Sequence, residues 1–313
     1  MSKVSRPRKG SLQFYPRKRS SKILPSVNWS TIQSKSQGLQ GFIAYKAGMA
    51  TAIVKDSTEK IMTAGKQVAV PVTILEVPSM KIYSIRFYKF GKVMKEIVVS
   101  QDKELKRVVR VPKQLKTLEH HPKDYDDIRV IIYSMPKQTT IKKTPDLIEV
   151  AVQADNKLEF VKSLIGKELS LEDFPKFDIL DVRGVTRGKG LQGPVKRFGL
   201  ALKQHKTEKG VRRPGSLAPW HPARVTFHAP MAGQMGYFTR IIYNLRVISQ
   251  GKIKDKDINP KTGWRNYGNI KTSYIIVNGS VQGPVKRQIL LTPAFRPSKI
   301  QTKRKLEFLE LVA

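Results

Sequence analysis

The 313-residue sequence contains no cysteine. That absence excludes disulfide frameworks, thiolate zinc sites, iron–sulfur clusters and cysteine nucleophiles, and it fits a reducing compartment. Also missing is any run of 18 apolar residues, so no segment is expected to cross a membrane as a helix. The basic stretch Met1–Ser30 has no apolar core behind it, which argues against a secretory signal. Acids are scarce: 24 Asp and Glu stand against 59 Lys and Arg, leaving a formal charge of +35. Such a charge repels itself unless a polyanion neutralises it. Hydrophobic residues still make up 40% of the chain, enough for a core, so a wholly disordered basic tail is excluded. The expected partner is a nucleic acid or another anionic surface.

The shortage of acids is uneven. Residues 1–55 carry 11 basic and no acidic side chains, residues 182–260 carry 16 against three, and residues 261–313 carry ten against two. Residues 96–181 hold 15 basic and 16 acidic side chains. Ordinary solvated surfaces mix both signs, as this middle block does. The block is therefore expected to face water while the basic regions face the polyanion.

The pattern predicts a mainly β protein with an α/β insertion. Residues 1–40 read as an extended basic arm, because Arg6-Pro7-Arg8-Lys9-Gly10 and Pro16-Arg17-Lys18-Arg19 combine charge with helix breakers. Gly41–Val54, Gln67–Val77 and Lys81–Phe90 are rich in β-branched and aromatic residues and read as strands, with Asp127–Tyr133 and Phe177–Val182 as shorter candidates. Tyr274–Val281 reads as a strand entering a hairpin at Asn278-Gly279. Helical spacing is confined to the neutral block. Asp155 is placed to cap a helix carrying Leu158, Val161, Leu164 and Ile165, with Gly166 as its stop; Ser100–Val111 is a second candidate. The domain scheme is thus a β-barrel from 41–80 and 237–291 with 177–200, an inserted domain over 81–176, a loop over 183–236 and a tail over 292–313.

The 183–236 segment interleaves glycine, proline and basic residues, and it reads as an extension without its own core, ordered by a partner. Gln192-Gly193-Pro194-Val195-Lys196-Arg197 recurs as Gln282-Gly283-Pro284-Val285-Lys286-Arg287. Each copy joins a Gly-Pro turn to a Lys-Arg pair suited to phosphate, although a duplicated structural turn would read the same way. Gly188–Gly193 matches a dinucleotide fingerprint, but that motif needs a helix at its end, and no apolar helical period follows Pro194. Among the five histidines only His120 has a neighbouring carboxylate, Glu119, and Glu208 is the sole acid over 183–254. General acid–base and metal-assisted chemistry are therefore disfavoured where the partner would lie. What remains is a binding pattern. Trp220-His221-Pro222-Ala223-Arg224 follows Arg212-Arg213, and Phe198, Phe227, Tyr237, Phe238 and Tyr243 alternate with Arg and Lys. Aromatic faces stack on unpaired bases while guanidinium groups hold phosphate, the usual grip on structured RNA. A modifying enzyme built on Gly188–Gly193 and an architectural DNA binder are the rival readings.

Several stretches resemble the universal large-subunit ribosomal protein three family. They are Lys9–Arg19, Gly41–Met49, Val182–Lys196, Pro219-Trp220-His221-Pro222, Gly233-Gln234-Met235-Gly236-Tyr237 and Lys286-Arg287. The long arm and the 80–180 insertion resemble archaeal and eukaryotic members more than bacterial ones, and the short segment after Arg287 resembles the archaeal branch. The resemblance implies a translation-protein β-barrel with an inserted α/β domain, and tails and a central loop running into large-subunit rRNA toward the peptidyl transferase centre. It also implies a role in early subunit assembly, and no enzyme activity, cofactor, metal or small-molecule substrate. Large-subunit rRNA and neighbouring ribosomal proteins are the implied partners, at a cytoplasmic, ribosome-bound location with no membrane. Two family modifications are not carried over: the position of a methylated histidine is Glu208 here, and that of a modified glutamine falls at Pro219-Trp220. The residues expected to bind RNA are, in the arm, Arg8, Lys9, Arg17, Lys18 and Arg19. In the loop they are Arg183, Arg187, Lys189, Lys196, Arg197, Arg212, Arg213, Trp220, His221, Arg224 and Gln234. Beyond it they are Arg240, Lys286 and Arg287.

Overall fold

The computed structural model describes residues 10–11, 14–32, 36–115, 118, 121–122 and 124–312. Arg8, Lys9 and the Glu119-His120 pair lie outside the described residues. In chain order the elements are β1 (Gly38–Leu39), β2 (Phe42–Asp56), β3 (Gln67–Val77), β4 (Met80–Lys89), β5 (Lys92–Val98), β6 (Asp127–Ser134), β7 (Leu147–Gln153), α1 (Lys157–Leu164) and β8 (Ile179–Val185). They continue with β9 (Leu191–Gln192), α2 (Pro194–Phe198), β10 (Gly233–Gln234), β11 (Thr239–Lys252), β12 (Ser273–Asn278), β13 (Gln288–Pro293), α3 (Lys299–Lys303) and β14 (Leu306–Val312). The chain forms two compact units: Ile23–Gly184 with Arg240–Ala313, and Met1–Lys22 with Val185–Thr239. No helix among the described residues is long and apolar enough to cross a membrane.

The larger unit is mainly β, in antiparallel sheets. One sheet runs β13-β8-β11-β12-β3-β2-β14, and β13 also pairs with β2, so six strands close into a ring with β14 attached outside it. The length of β2 makes this arrangement possible. Its Phe42–Tyr45 stretch pairs with β13, its Thr51–Asp56 stretch pairs with β14, and β3 runs along its other edge. Both β3 and β12 are buried on two faces. Leu75, Val77, Ile275 and Val277 join one apolar cluster, and Val72, Ile74, Tyr274 and Ile276 join another. Burial on both faces explains why these segments read as nearly continuous apolar runs rather than alternating ones. Trp264 packs over Gly48, where an added Cβ would meet its ring at 2.8 Å.

The second sheet of this unit has the order β1-β7-β6-β4-β5, and its Ile82, Ile85, Val130 and Val150 belong to the same cluster as the ring residues Ile43, Val182 and Leu290. Its carboxylates are placed as the mixed composition suggests. Glu149 receives Arg86 at 3.0 Å, Arg129 at 3.2 Å and the Tyr88 hydroxyl at 2.6 Å, and Lys157 reaches Asp127 at 2.6 Å. The β4–β5 hairpin turns through Phe90-Gly91, with φ of 48° and 71°.

Several sequence-based expectations need correction. Ser100–Val111 is not an α-helix; only a short 3-10 turn forms at Lys103–Arg107. The segment is instead held down as a cover, with Leu105 buried against Tyr83 and Ile131, and with the Asp102 carboxylate accepting from Tyr133 at 2.6 Å. Helix α1 forms as expected, but its cap is Asn156, whose side chain accepts from the Glu159 N–H, and not Asp155. The Asn278-Gly279 turn does not make a hairpin, because β12 pairs with β11 and β3 rather than with the strand that follows. Gly279 is used differently: at φ 85° its N–H donates to the Pro71 carbonyl. Within the segment read as an arm, Leu24, Trp29 and Ile32 are buried in the larger unit, and the Trp29 indole donates to the Glu149 carbonyl at 3.0 Å.

Candidate nucleic-acid interface

The smaller unit combines residues of the arm with the glycine-rich segment, and it has internal structure of its own. Strands β9 and β10 pair antiparallel, and the ladder is continued by Met235 N–H to the Gly190 carbonyl and Lys189 N–H to the Met235 carbonyl, both 2.9 Å. Gly236, at φ 72°, lies so close to the Arg187 carbonyl that a Cβ would meet its oxygen at 2.1 Å. A helical turn does begin at Pro194, contrary to the sequence reading. Proline at the first helical position loses no hydrogen bond, and Gly199 ends the turn at φ 65°.

The centre of this unit is one aromatic ring covered by cations. Phe198 is buried, with the Arg17 guanidinium 4.6 Å and the Arg197 guanidinium 5.2 Å from its ring centroid. Arg17 also lies over Tyr15 at 4.9 Å and donates to the Ser11 carbonyl at 3.1 Å. Arg197 donates to the carbonyls of Gln234 at 3.0 Å and Met231 at 2.9 Å. Burial, followed by the neighbouring Arg17 charge, lowers the Arg197 pKa. These two arginines fasten the unit internally. Guanidinium–aromatic stacking thus packs charged side chains on the buried ring of a segment with few apolar residues. A further aromatic group forms from Tyr15, Phe227 and His228, with centroid distances of 5.1 and 4.1 Å along the series. His228 carries no mark of its own in the sequence, although its ring partner Phe227 is its neighbour in the chain.

The remaining residues fall into two sets. Lys18, Arg19, Arg187, Lys189, Lys196, Arg212, Arg213, His221 and Arg224 are exposed, and Trp220 is 87% exposed. Over Met1–Lys22 with Val185–Thr239 the sequence has eighteen Lys and Arg against one acid, Glu208. Gln234 turns inward, its amide donating to the Gly236 carbonyl at 3.0 Å. In the larger unit Arg183 is buried, bonded to the Thr292 hydroxyl at 3.3 Å, with its pKa lowered by burial. Arg240 and Arg287 are half-buried and Lys286 is exposed.

The two hexapeptides adopt different structures. The first supplies β9 and α2; the second is an irregular turn whose Gln282 is buried and donates to the carbonyls of Val182 at 2.8 Å and Arg240 at 3.1 Å. Lys46, unmarked in the sequence, is buried beside this turn, and its ammonium donates to the Val281 carbonyl at 2.5 Å. Lys252, Lys254 and Lys271 line a cavity of about 580 Å³ in the larger unit, also unmarked because only folding brings them together.

The chain matches the family described as Ribosomal protein L3 over residues 1–311. Among named relatives, the large ribosomal subunit protein uL3 of Methanococcus vannielii is 41% identical, with 95% of this chain and 93% of the relative covered. Those of Methanocaldococcus jannaschii and Archaeoglobus fulgidus are 38% and 39% identical, over 95% of this chain and 93% and 94% of theirs.

Proposed function

The chain belongs to the ribosomal protein L3 family, a structural component of the large ribosomal subunit rather than an enzyme, and from that premise we propose that its smaller unit is an rRNA clamp. The carrying observation is a sequence with eighteen basic residues against a single acid over this unit, together with a tryptophan that is left exposed. The exposed set from Lys18 through Arg224 holds phosphates, and Trp220 stacks on RNA at the part of the loop directed toward the peptidyl transferase centre. Arg17, Arg197 and Gln234 hold the backbone that presents those groups. Arg8, Lys9, Arg183, Arg240, Lys286 and Arg287 are further RNA contacts of the chain. Binding of this kind neutralises phosphate repulsion between RNA helices, which is how the protein acts early in subunit assembly. The domain scheme follows the same logic: a translation-protein barrel accompanies the clamp, and the 81–176 insertion, which contains most of the charge-balanced 96–181 block, faces away from most of the RNA. The working location is the cytoplasmic ribosome, with neighbouring large-subunit proteins as further partners.

Gradient sedimentation tests the proposal. The chain is expected in the large-subunit fraction, and Trp220→Ala is expected to remain there while lowering the rate of peptide-bond formation. Recovery of the wild-type chain only from the free pool overturns it.

A further inference from the structure

The β4–β5 hairpin presents an aromatic ring where its own backbone disfavours one. Its two-residue turn, Phe90-Gly91, holds both residues at positive φ, the combination a type I′ turn requires. Asn, Asp and Gly suit the first position, and a bulky side chain there is an outlier. Phe90 nevertheless occupies it with 84% of its surface exposed, so the ring contributes almost nothing to the core. The turn is built to hold it: the Phe90 N–H donates to the Asp126 carboxylate at 2.7 Å, and the Asp126 N–H donates to the Tyr88 carbonyl at 2.7 Å. One cation lies beside the ring and a second is on the facing strand. Lys89, ion-paired with Asp124, is 5.4 Å from the ring centroid, and Lys92 is directly opposite Lys89 in the ladder. A register shift beside Tyr88 bulges the strand next to the turn, and Met94 there is exposed. Lysines and a bulge are features that discourage strand addition at a sheet edge, so the tip rather than the edge is the binding feature.

We propose that Phe90 is a base-stacking contact, in which the hairpin tip receives one unpaired rRNA base on the ring while Lys89 and Lys92 meet the adjoining phosphates. The proposal rests on the ribosomal reading above and adds to it a contact from the inserted domain rather than from the glycine-rich loop. An exposed aromatic ring with one ammonium beside it and a second lysine on the facing strand fits a nucleotide better than an apolar protein groove, which would desolvate the lysine at the ring.

Ultraviolet cross-linking of large subunits carrying the full chain, followed by peptide mass spectrometry, tests it, together with chemical probing of the rRNA. A nucleotide adduct on Phe90 is expected. Phe90→Asn, which suits the turn, is expected to keep or raise Tm and to leave the chain in the subunit. It should also weaken protection of one nucleotide by at least about fivefold, the loss of one base–aromatic stack; Phe90→Trp should keep that protection. A Phe90 adduct to protein, no adduct, or a lower Tm in Phe90→Asn overturns the proposal while the chain remains in the subunit. Absence of the wild-type chain from the subunit overturns the ribosomal reading and this contact with it.

Discussion

Asp56 shows how a buried acid is held in so basic a chain. It has no exposed surface, and hydrogen bonding from Thr58 and then Thr63, with Arg304 3.6 Å away, holds its pKa below the ordinary carboxylate value. A depressed native pKa contributes stability that is present above about pH 4 and lost as pH falls through the lower native value. Asp56→Asn is therefore expected to lower Tm at neutral pH, with the difference from wild type shrinking on acidification; calorimetry across pH 2–7 checks this. Gly236 is a steric case. Gly236→Ala must move the Arg187 backbone and hold alanine at φ 72°, which should cost at least about 2 kcal/mol and loosen β9–β10 toward protease. At this scale the sequence revealed charge and residue type but not destination. Arg17 and Arg197 look like phosphate ligands in the chain, yet their guanidinium groups are taken up by Phe198 and backbone carbonyls.

Elements were legible where a local pattern suffices. Strand β3 has the expected bounds, and β2, β4, β6, β8 and β12 lie within a few residues of theirs. The alternation Ile148, Val150, Val152 marks β7 equally well but was not among the expected strands. Patterns whose outcome depends on distant partners misled. Ser100–Val111 is tied down by Tyr133, and Asn278-Gly279 leads into a segment whose following strand pairs elsewhere. The hexapeptide pair makes the same point, since identical residues form a helical turn in one place and an irregular turn in the other. At α1 the capping correction is directly measurable. Asn156→Ala should cost about 1 kcal/mol in denaturant unfolding, whereas Asp155→Ala, one residue earlier, should cost little of that.

For the whole molecule, the acids separate the two units. The smaller sets eighteen basic side chains against one acid, while the larger holds the other 23 acids and pairs several of them, as in Arg86–Glu149. Affinity for rRNA should therefore fall steeply with salt. Replacing exposed Arg212 and Arg213 by Gln is expected to flatten the log–log salt slope by about 0.7–0.9 for each phosphate that is no longer neutralised, measured by filter binding at several ionic strengths. The same substitutions in the exposed loop should leave Tm nearly unchanged. The closed ring has its own consequence, in the order of biosynthesis. Its final seam joins Phe42–Tyr45 to Gln288–Leu291. A ribosome must thus synthesise almost the entire chain before the first long strand meets β13 and then β14. Until then one edge of that strand waits unpaired, open to pairing with another chain during most of the protein's own translation.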